Sequence, residues 1–213
     1  MGQSNSNTAS AFGMGLAIQG VSLAIAMACL YFSRVDVSWF GSEQGMLGQG
    51  YMPQVLTGVL GALLTYITCA ALTRSKTRVG VKLREHCKAF HPFFRDFSWG
   101  QIGLLAVAAG VCEELLFRGF FQPWMTSFSL PVLGILGASV LFGLLHYASF
   151  IYFFLTFAIG LTLGVVYWLS ESLLTVIVWH GVYDLIAIGV LAKYPHWLGV
   201  SSASQQQAMP QDL

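Results

Sequence analysis

Long apolar runs separated by short polar segments dominate the chain. A helix that crosses a membrane needs about 20 mostly apolar residues, and six runs come close to that length. They cover residues 12–32, 52–73, 99–117, 130–147, 150–169 and 172–192. The pattern predicts an all-α fold, a polytopic membrane helix bundle with about six transmembrane helices.

The fourth and fifth runs are joined almost without interruption. A single helix over residues 130–169 would be about twice the spanning length and would overshoot the bilayer. The most polar stretch inside it is His146-Tyr147-Ala148-Ser149. We therefore expect the chain to break there.

The polar segments predict how the chain is oriented. Residues 1–11 are polar and lack Lys or Arg, and no small-residue cleavage site follows the first run, so we expect a retained helix rather than a signal peptide. The connection over residues 74–98 holds most of the basic residues and is predicted to be a cytoplasmic loop. Residues 34–50 would then lie outside, and the polar tail, residues 193–213, inside. The basic residues of the connection are Arg74, Lys76, Arg78, Lys82, Arg84, Lys88 and Arg95.

Composition agrees with a single membrane domain over residues 1–213. Of the 213 residues, 56% are hydrophobic and 9% are charged. Soluble domains carry about 25% charged residues, which excludes an ordinary water-soluble globule. Ten basic residues against nine acidic ones give no reason to expect a nucleic-acid partner. The four cysteines follow neither a disulfide nor a metal-site spacing.

Three charged residues lie inside the third apolar run or directly after it. Each of Glu113, Glu114 and Arg118 would cost about 2.5–3.5 kcal/mol at the bilayer centre, so each needs a reason to be there. Glu114 and Arg118, four positions apart, share a helix face and can form an ion pair. Glu113 points about 100° away, which leaves it free to act as a general base. A purely structural charge cluster remains an alternative for these residues alone.

Two further runs carry histidines. His146 stands alone, and a lone histidine in an apolar helix is more often structural than a ligand. His180 and Asp184 are four positions apart on one face. They could bind a metal together, or the aspartate could orient the imidazole and bind a water molecule.

Membrane depth conflicts with a site that joins all these residues. Glu113 lies roughly 21 Å into its run at 1.5 Å per residue, whereas His146 is at the cytoplasmic end of its own. Two arrangements could close the distance. The third run could begin with a tilted interfacial stretch, or its helix could continue past Arg118 towards Trp124.

The three motifs together resemble the CPBP family of intramembrane proteases, also called the Abi or CAAX-protease family. The family pattern is Glu-Glu-x-x-x-Arg, then Phe-x-x-x-His, then His-x-x-x-Asn/Asp. In this chain these motifs are Glu113 to Arg118, Phe142 to His146, and His180 to Asp184. The resemblance covers about residues 99–192, which we expect to form the catalytic helical core.

The resemblance implies an endopeptidase that hydrolyses a peptide bond of a membrane-associated protein or peptide. Glu113 would activate water, while His146, His180 and Asp184 would position it, stabilise the oxyanion or hold a metal. Glu114 and Arg118 would brace the site. A divalent metal such as zinc could be held by Glu113, His146, His180 and Asp184, but a site of carboxylates and imidazoles needs none. The sequence leaves both types open.

The partners follow from the same resemblance. We expect a membrane-associated substrate, the lipid bilayer and no nucleic acid. The chain length and number of runs are typical of bacterial family members, which predicts an integral protein of the bacterial inner (cell) membrane. Two other functions are alternatives. A proton-coupled transporter would use the same buried acids and histidines as a relay. A non-catalytic membrane scaffold or immunity protein would bind a partner through the same fold.

Overall fold

The computed structural model describes residues 2–43 and 45–200, with side chains from residue 8 onwards. This part of the chain is helical and contains no strand, so the predicted fold class is confirmed. The α-helices are α1 (Gly2–Ser33), α2 (Tyr51–Arg74), α3 (Arg78–Phe94), α4 (Trp99–Glu114), α5 (Gln122–Thr126), α6 (Pro131–Leu145), α7 (Phe150–Ser170) and α8 (Leu173–Lys193). A π-helical segment (Leu115–Phe121) joins α4 to α5, and a 3₁₀ turn (Pro195–Leu198) follows α8.

The predicted number of spans is not confirmed. Among the described residues, four helices are long and apolar enough to cross a membrane: Thr8–Ser33 of α1, and all of α2, α7 and α8. Two of the predicted spans are shorter as α-helices, because α4 has 16 residues and α6 has 15. The π segment explains why α4 is short, since it replaces the α-helical hydrogen bonds directly after Glu114. The helix itself continues to Thr126.

Several predicted boundaries change. The first helix begins at Gly2, ten positions before the predicted span. The basic connection is not simply a loop but contains α3, whose first turn is capped by the Thr77 side chain accepting from the Gly80 N–H. Residues 201–213, most of the predicted polar tail, lie outside the described residues. The predicted break at residues 146–149 is confirmed, because α6 ends at Leu145 and α7 begins at Phe150.

Helix α8 lies between α2 and α4, and small residues let the three backbones approach closely. A Cβ atom on Gly58 of α2 would lie 2.7 Å from the Thr175 carbonyl oxygen of α8. On the other side, a Cβ atom on Gly110 of α4 would lie 2.9 Å from the Gly181 nitrogen. Small residues at such crossings are typical of membrane helix pairs.

The two ends of the bundle are closed differently. Residues 34–43 and 45–50 fold over the turn between α7 and α8, where the Leu173 N–H donates to the Ser38 carbonyl at 2.9 Å. The Met46 N–H likewise donates to the Leu169 carbonyl at 2.9 Å. At the opposite end, α3 lies against α2, α7 and α8. Leu83 of α3 is buried, whereas Lys82 and Glu85 form an exposed ion pair on the same helix.

The conflict over membrane depth disappears because the helix continues past Arg118. Two helical segments flank the turn at 127–130, one from Glu113 to Thr126 and the other from Pro131 to His146. Each segment rises roughly 20 Å along its axis. Glu113 and His146 therefore reach a similar level on two adjacent segments. This is the second of the two arrangements that the sequence allowed.

Candidate active site

The structure brings all six predicted site residues together. Glu113 and Glu114 are the last two residues of α4, and Arg118 lies in the π segment. His146 directly follows α6 as its C-terminal cap, and α8 supplies His180 and Asp184. Three separate parts of the bundle thus contribute side chains to one region.

Glu114 and Arg118 form a fully buried ion pair, each with 0% of its surface exposed. Arg118 Nη1 donates to Glu114 Oε1 at 2.7 Å, and Nη2 donates to the Gly160 carbonyl of α7 at 2.8 Å. The guanidinium group also lies 4.9 Å from the centre of the Phe142 ring. Arg118 therefore ties the π segment to α6 and α7 while neutralising the charge of Glu114.

His180 is held by the same carboxylate. Its Nδ1 lies 2.7 Å from Glu114 Oε1, and because an ionised carboxylate only accepts, Nδ1 must carry a proton. Nε2 of the same ring lies 3.6 Å from Asp184 Oδ2 and 4.0 Å from Glu113 Oε2. Glu114 thereby turns Nε2 of His180 towards Glu113.

His146 is oriented by its own helix. Its Nδ1 lies 2.9 Å from the Phe142 carbonyl oxygen, which only accepts, so this nitrogen is also the donor. Nε2 then faces Glu113 Oε2 at 3.5 Å. The His146 side chain is 32% exposed, so it lies at the edge of the site rather than in its interior.

The two oxygens of Glu113 have different surroundings. Oε1 accepts a hydrogen bond of 2.8 Å from Nε2 of Gln19, on α1. Oε2 is buried and accepts no hydrogen bond from the described residues. Its distances to the two Nε2 atoms, 3.5 Å and 4.0 Å, are too long for good direct hydrogen bonds but suit bridging by a small polar molecule.

Gln19 is a site residue that the sequence interpretation missed. The available signal was weak: it is the one amide side chain in the apolar run 12–32. Amides inside a membrane usually find a hydrogen-bond partner on a neighbouring helix, but the sequence does not say which one.

A cavity of about 380 Å³ leads from this site towards α3. Most of its wall is apolar, with Leu83 and Phe90 of α3 among the lining residues. Glu113, His146 and Asp184 form its polar end. A second cavity of about 80 Å³ lies between α6, α7 and α8, beyond His180. The polar groups therefore stand between two mostly apolar spaces.

The comparison with protein families finds one match. A family model described as type II CAAX prenyl endopeptidase, Rce1-like, matches residues 95–186. The six predicted site residues fall inside this range, and Gln19 falls outside it. No curated protein and no solved structure matches the chain.

Proposed function

Because residues 95–186 match the model of the Rce1-like type II CAAX prenyl endopeptidases, we propose that the chain hydrolyses a peptide bond of a membrane-associated protein or peptide within the bilayer. The main support for this proposal is the arrangement of one carboxylate and two imidazoles. Glu113 Oε2 faces Nε2 of His146 and Nε2 of His180, and these atoms come from α4, from the cap that follows α6, and from α8. A carboxylate and two imidazoles at this spacing can hold and activate one water molecule.

Glu113 acts as the general base. A water molecule between Oε2 and the histidines gives a proton to Glu113 as its oxygen attacks the substrate carbonyl carbon. The tetrahedral intermediate then collapses, and the carbon–nitrogen bond breaks. Glu113 returns the proton to the leaving amine, so the carboxylate is regenerated.

The two histidines have different roles in this scheme. His180 has carboxylates near both ring nitrogens, Glu114 at Nδ1 and Asp184 at Nε2, so each ring N–H would have an acceptor. Its Nε2–H can donate to the oxyanion of the intermediate. His146 uses its Nδ1 proton at the Phe142 carbonyl, so its neutral Nε2 can accept the second hydrogen of the water.

A metal ion would need the same atoms. Glu113, His146, His180 and Asp184 are of the right chemical type for zinc, which would supply Lewis-acid chemistry when bound. Within the described residues, however, no three such side chains are arranged to hold an ion. If a chelator abolishes cleavage and added zinc restores it, the site holds a metal ion.

Glu113→Gln tests the proposal. The probes are a quenched fluorescent peptide with a farnesylated CAAX end, chosen from the family description, and the same peptide with an acyl anchor instead. We expect kcat to fall about 10²- to 10⁴-fold, because the amide cannot take the proton. Glu85→Gln is the control, since Glu85 is an exposed acid on α3 paired with Lys82. Unchanged cleavage by Glu113→Gln would contradict the proposed mechanism.

The cellular setting is part of the same proposal. The apolar helices and the family make the chain an integral membrane protein. We place it in the cell membrane of a bacterium, with the basic helix α3 on the cytoplasmic side.

A further inference from the structure

We infer that Gln19 of α1 is a positioning residue for Glu113 and that the working site extends beyond the part of the chain that matches the family. The inference rests on the proposed role of Glu113 as the base. The inference is supported by the hydrogen bond of 2.8 Å between Gln19 Nε2 and Glu113 Oε1. Both residues are buried, with 8% of their surface exposed.

The direction of this bond is fixed by chemistry. A carboxylate only accepts, so the amide must present its NH₂ group to Glu113. With the amide turned around, two oxygens would face each other. A bond from a neutral donor to a charged acceptor is stronger than one between neutral groups, and it is stronger still away from water. Gln19 therefore holds one oxygen of Glu113 firmly.

Holding Oε1 determines where Oε2 points. The last torsion of a glutamate side chain is broad, so a carboxylate without a partner rotates easily. Arg118 does not restrain Glu113, because its hydrogen bonds go to Glu114 and Gly160. Among the described residues, Gln19 donates the only hydrogen bond to this carboxylate. Without it, Oε2 would spend less time facing the two histidines.

Packing of α1 keeps Gln19 in place. One turn before it, a Cβ atom on Gly15 would lie 3.2 Å from the Leu105 side chain of α4. Two turns after it, Ala26 is fully buried in the main core cluster. The helix is thus fixed on both sides of Gln19, at the level of Glu113.

Gln19→Met tests the inference, because methionine keeps the length and removes the donor. With the two peptide probes above, we expect kcat to fall about 10- to 100-fold, the loss typical of a misplaced reacting group. KM should stay within about twofold, because Gln19 acts through Glu113 rather than on the substrate. If Gln19→Met has the kcat of the wild type while Glu113→Gln is inactive, the inference is wrong. The proposed function would be unaffected by that result.

Gln54→Met is the matched control. Gln54, like Gln19, is a buried glutamine on an apolar helix, but it binds Ser172 and Gly48 at the other end of the bundle. Its loss should lower the unfolding temperature and leave kcat unchanged. An equal fall of kcat in Gln54→Met would show that Gln19→Met acts through general destabilisation, which would also overturn the inference.

A second measurement decides the matter if the wild type cleaves neither probe. In a double-mutant cycle on thermal unfolding, Gln19→Met and Glu113→Met should be clearly non-additive, because the two residues are in contact. Additive effects would mean that the bond between Gln19 and Glu113 is absent, and they would overturn the inference whatever the substrate is.

Discussion

Arg118 is the largest fully buried side chain in the described part of the protein. Its charge is balanced by Glu114, and its second terminal nitrogen binds the Gly160 carbonyl. Bringing two charges out of water is expensive, so such a pair adds little net stability compared with apolar residues. Once the pair is built, however, removing one partner leaves the other charge buried and alone.

Arg118→Met should therefore destabilise the protein strongly. We expect a loss of about 3–5 kcal/mol, the usual effect of leaving a buried charge without its partner. Thermal unfolding in detergent measures it. The control is Lys82→Ala, which breaks an exposed pair on α3 and should change the unfolding temperature little. Similar unfolding temperatures for both variants would contradict this account of Arg118.

At the scale of elements, the crossing of α4 and α8 positions the site. Helix α4 carries Glu113 and α8 carries His180, and the two backbones meet at Gly110 and Gly181. A Cβ atom on Gly110 would lie 2.9 Å from the Ile177 carbonyl oxygen and 2.9 Å from the Gly181 nitrogen. Backbone atoms cannot rotate away as a side chain can, so the helices would have to separate.

Gly110→Ala should lower both the unfolding temperature and kcat, because separating α4 from α8 moves Glu113 away from His180. Overpacking of this kind costs about 1–3 kcal/mol. Gly103→Ala is the matched control on the same helix, since a Cβ atom there would meet nothing within 4 Å. The two variants should differ clearly in a parallel unfolding and cleavage experiment, and equal behaviour would contradict the proposed close crossing.

For the whole molecule, the distribution of charge predicts the orientation in the membrane. Seven of the ten basic residues lie on α3 or next to it, at the end of the bundle towards which the larger cavity extends. Cytoplasmic segments carry the excess of Lys and Arg. A substrate that enters this cavity past α3 would then come from the cytoplasmic side.

Single-cysteine labelling tests this orientation in a background without the four native cysteines. Lys88→Cys on α3 should react with a membrane-impermeant maleimide only when the cytoplasmic face is accessible. Glu43→Cys, in the connection between α1 and α2, should react only from the opposite face. Labelling of both positions from one side would contradict the predicted topology.

The local parts of the site could be predicted from the sequence. Helical periodicity predicted that Glu114 and Arg118 share a face, and the structure contains this pair at 2.7 Å. Chain length against bilayer thickness predicted the break at residues 146–149. The same logic placed α2, α7 and α8 within a residue or two of their observed bounds. It did not locate the ends of α4 and α6, because apolar composition does not register where a π segment begins or a helix ends.

The sequence by itself determined an all-helical membrane chain and the presence of acids and histidines on separate apolar runs. These properties depend on composition and on neighbours three or four positions apart. Only the tertiary structure decided that Glu113 meets His146 at the same depth, and that α1 supplies Gln19 from 94 positions away. Both contacts depend on how far each helix continues and which helices lie side by side. No local pattern encodes these, because they result from the packing of the whole bundle.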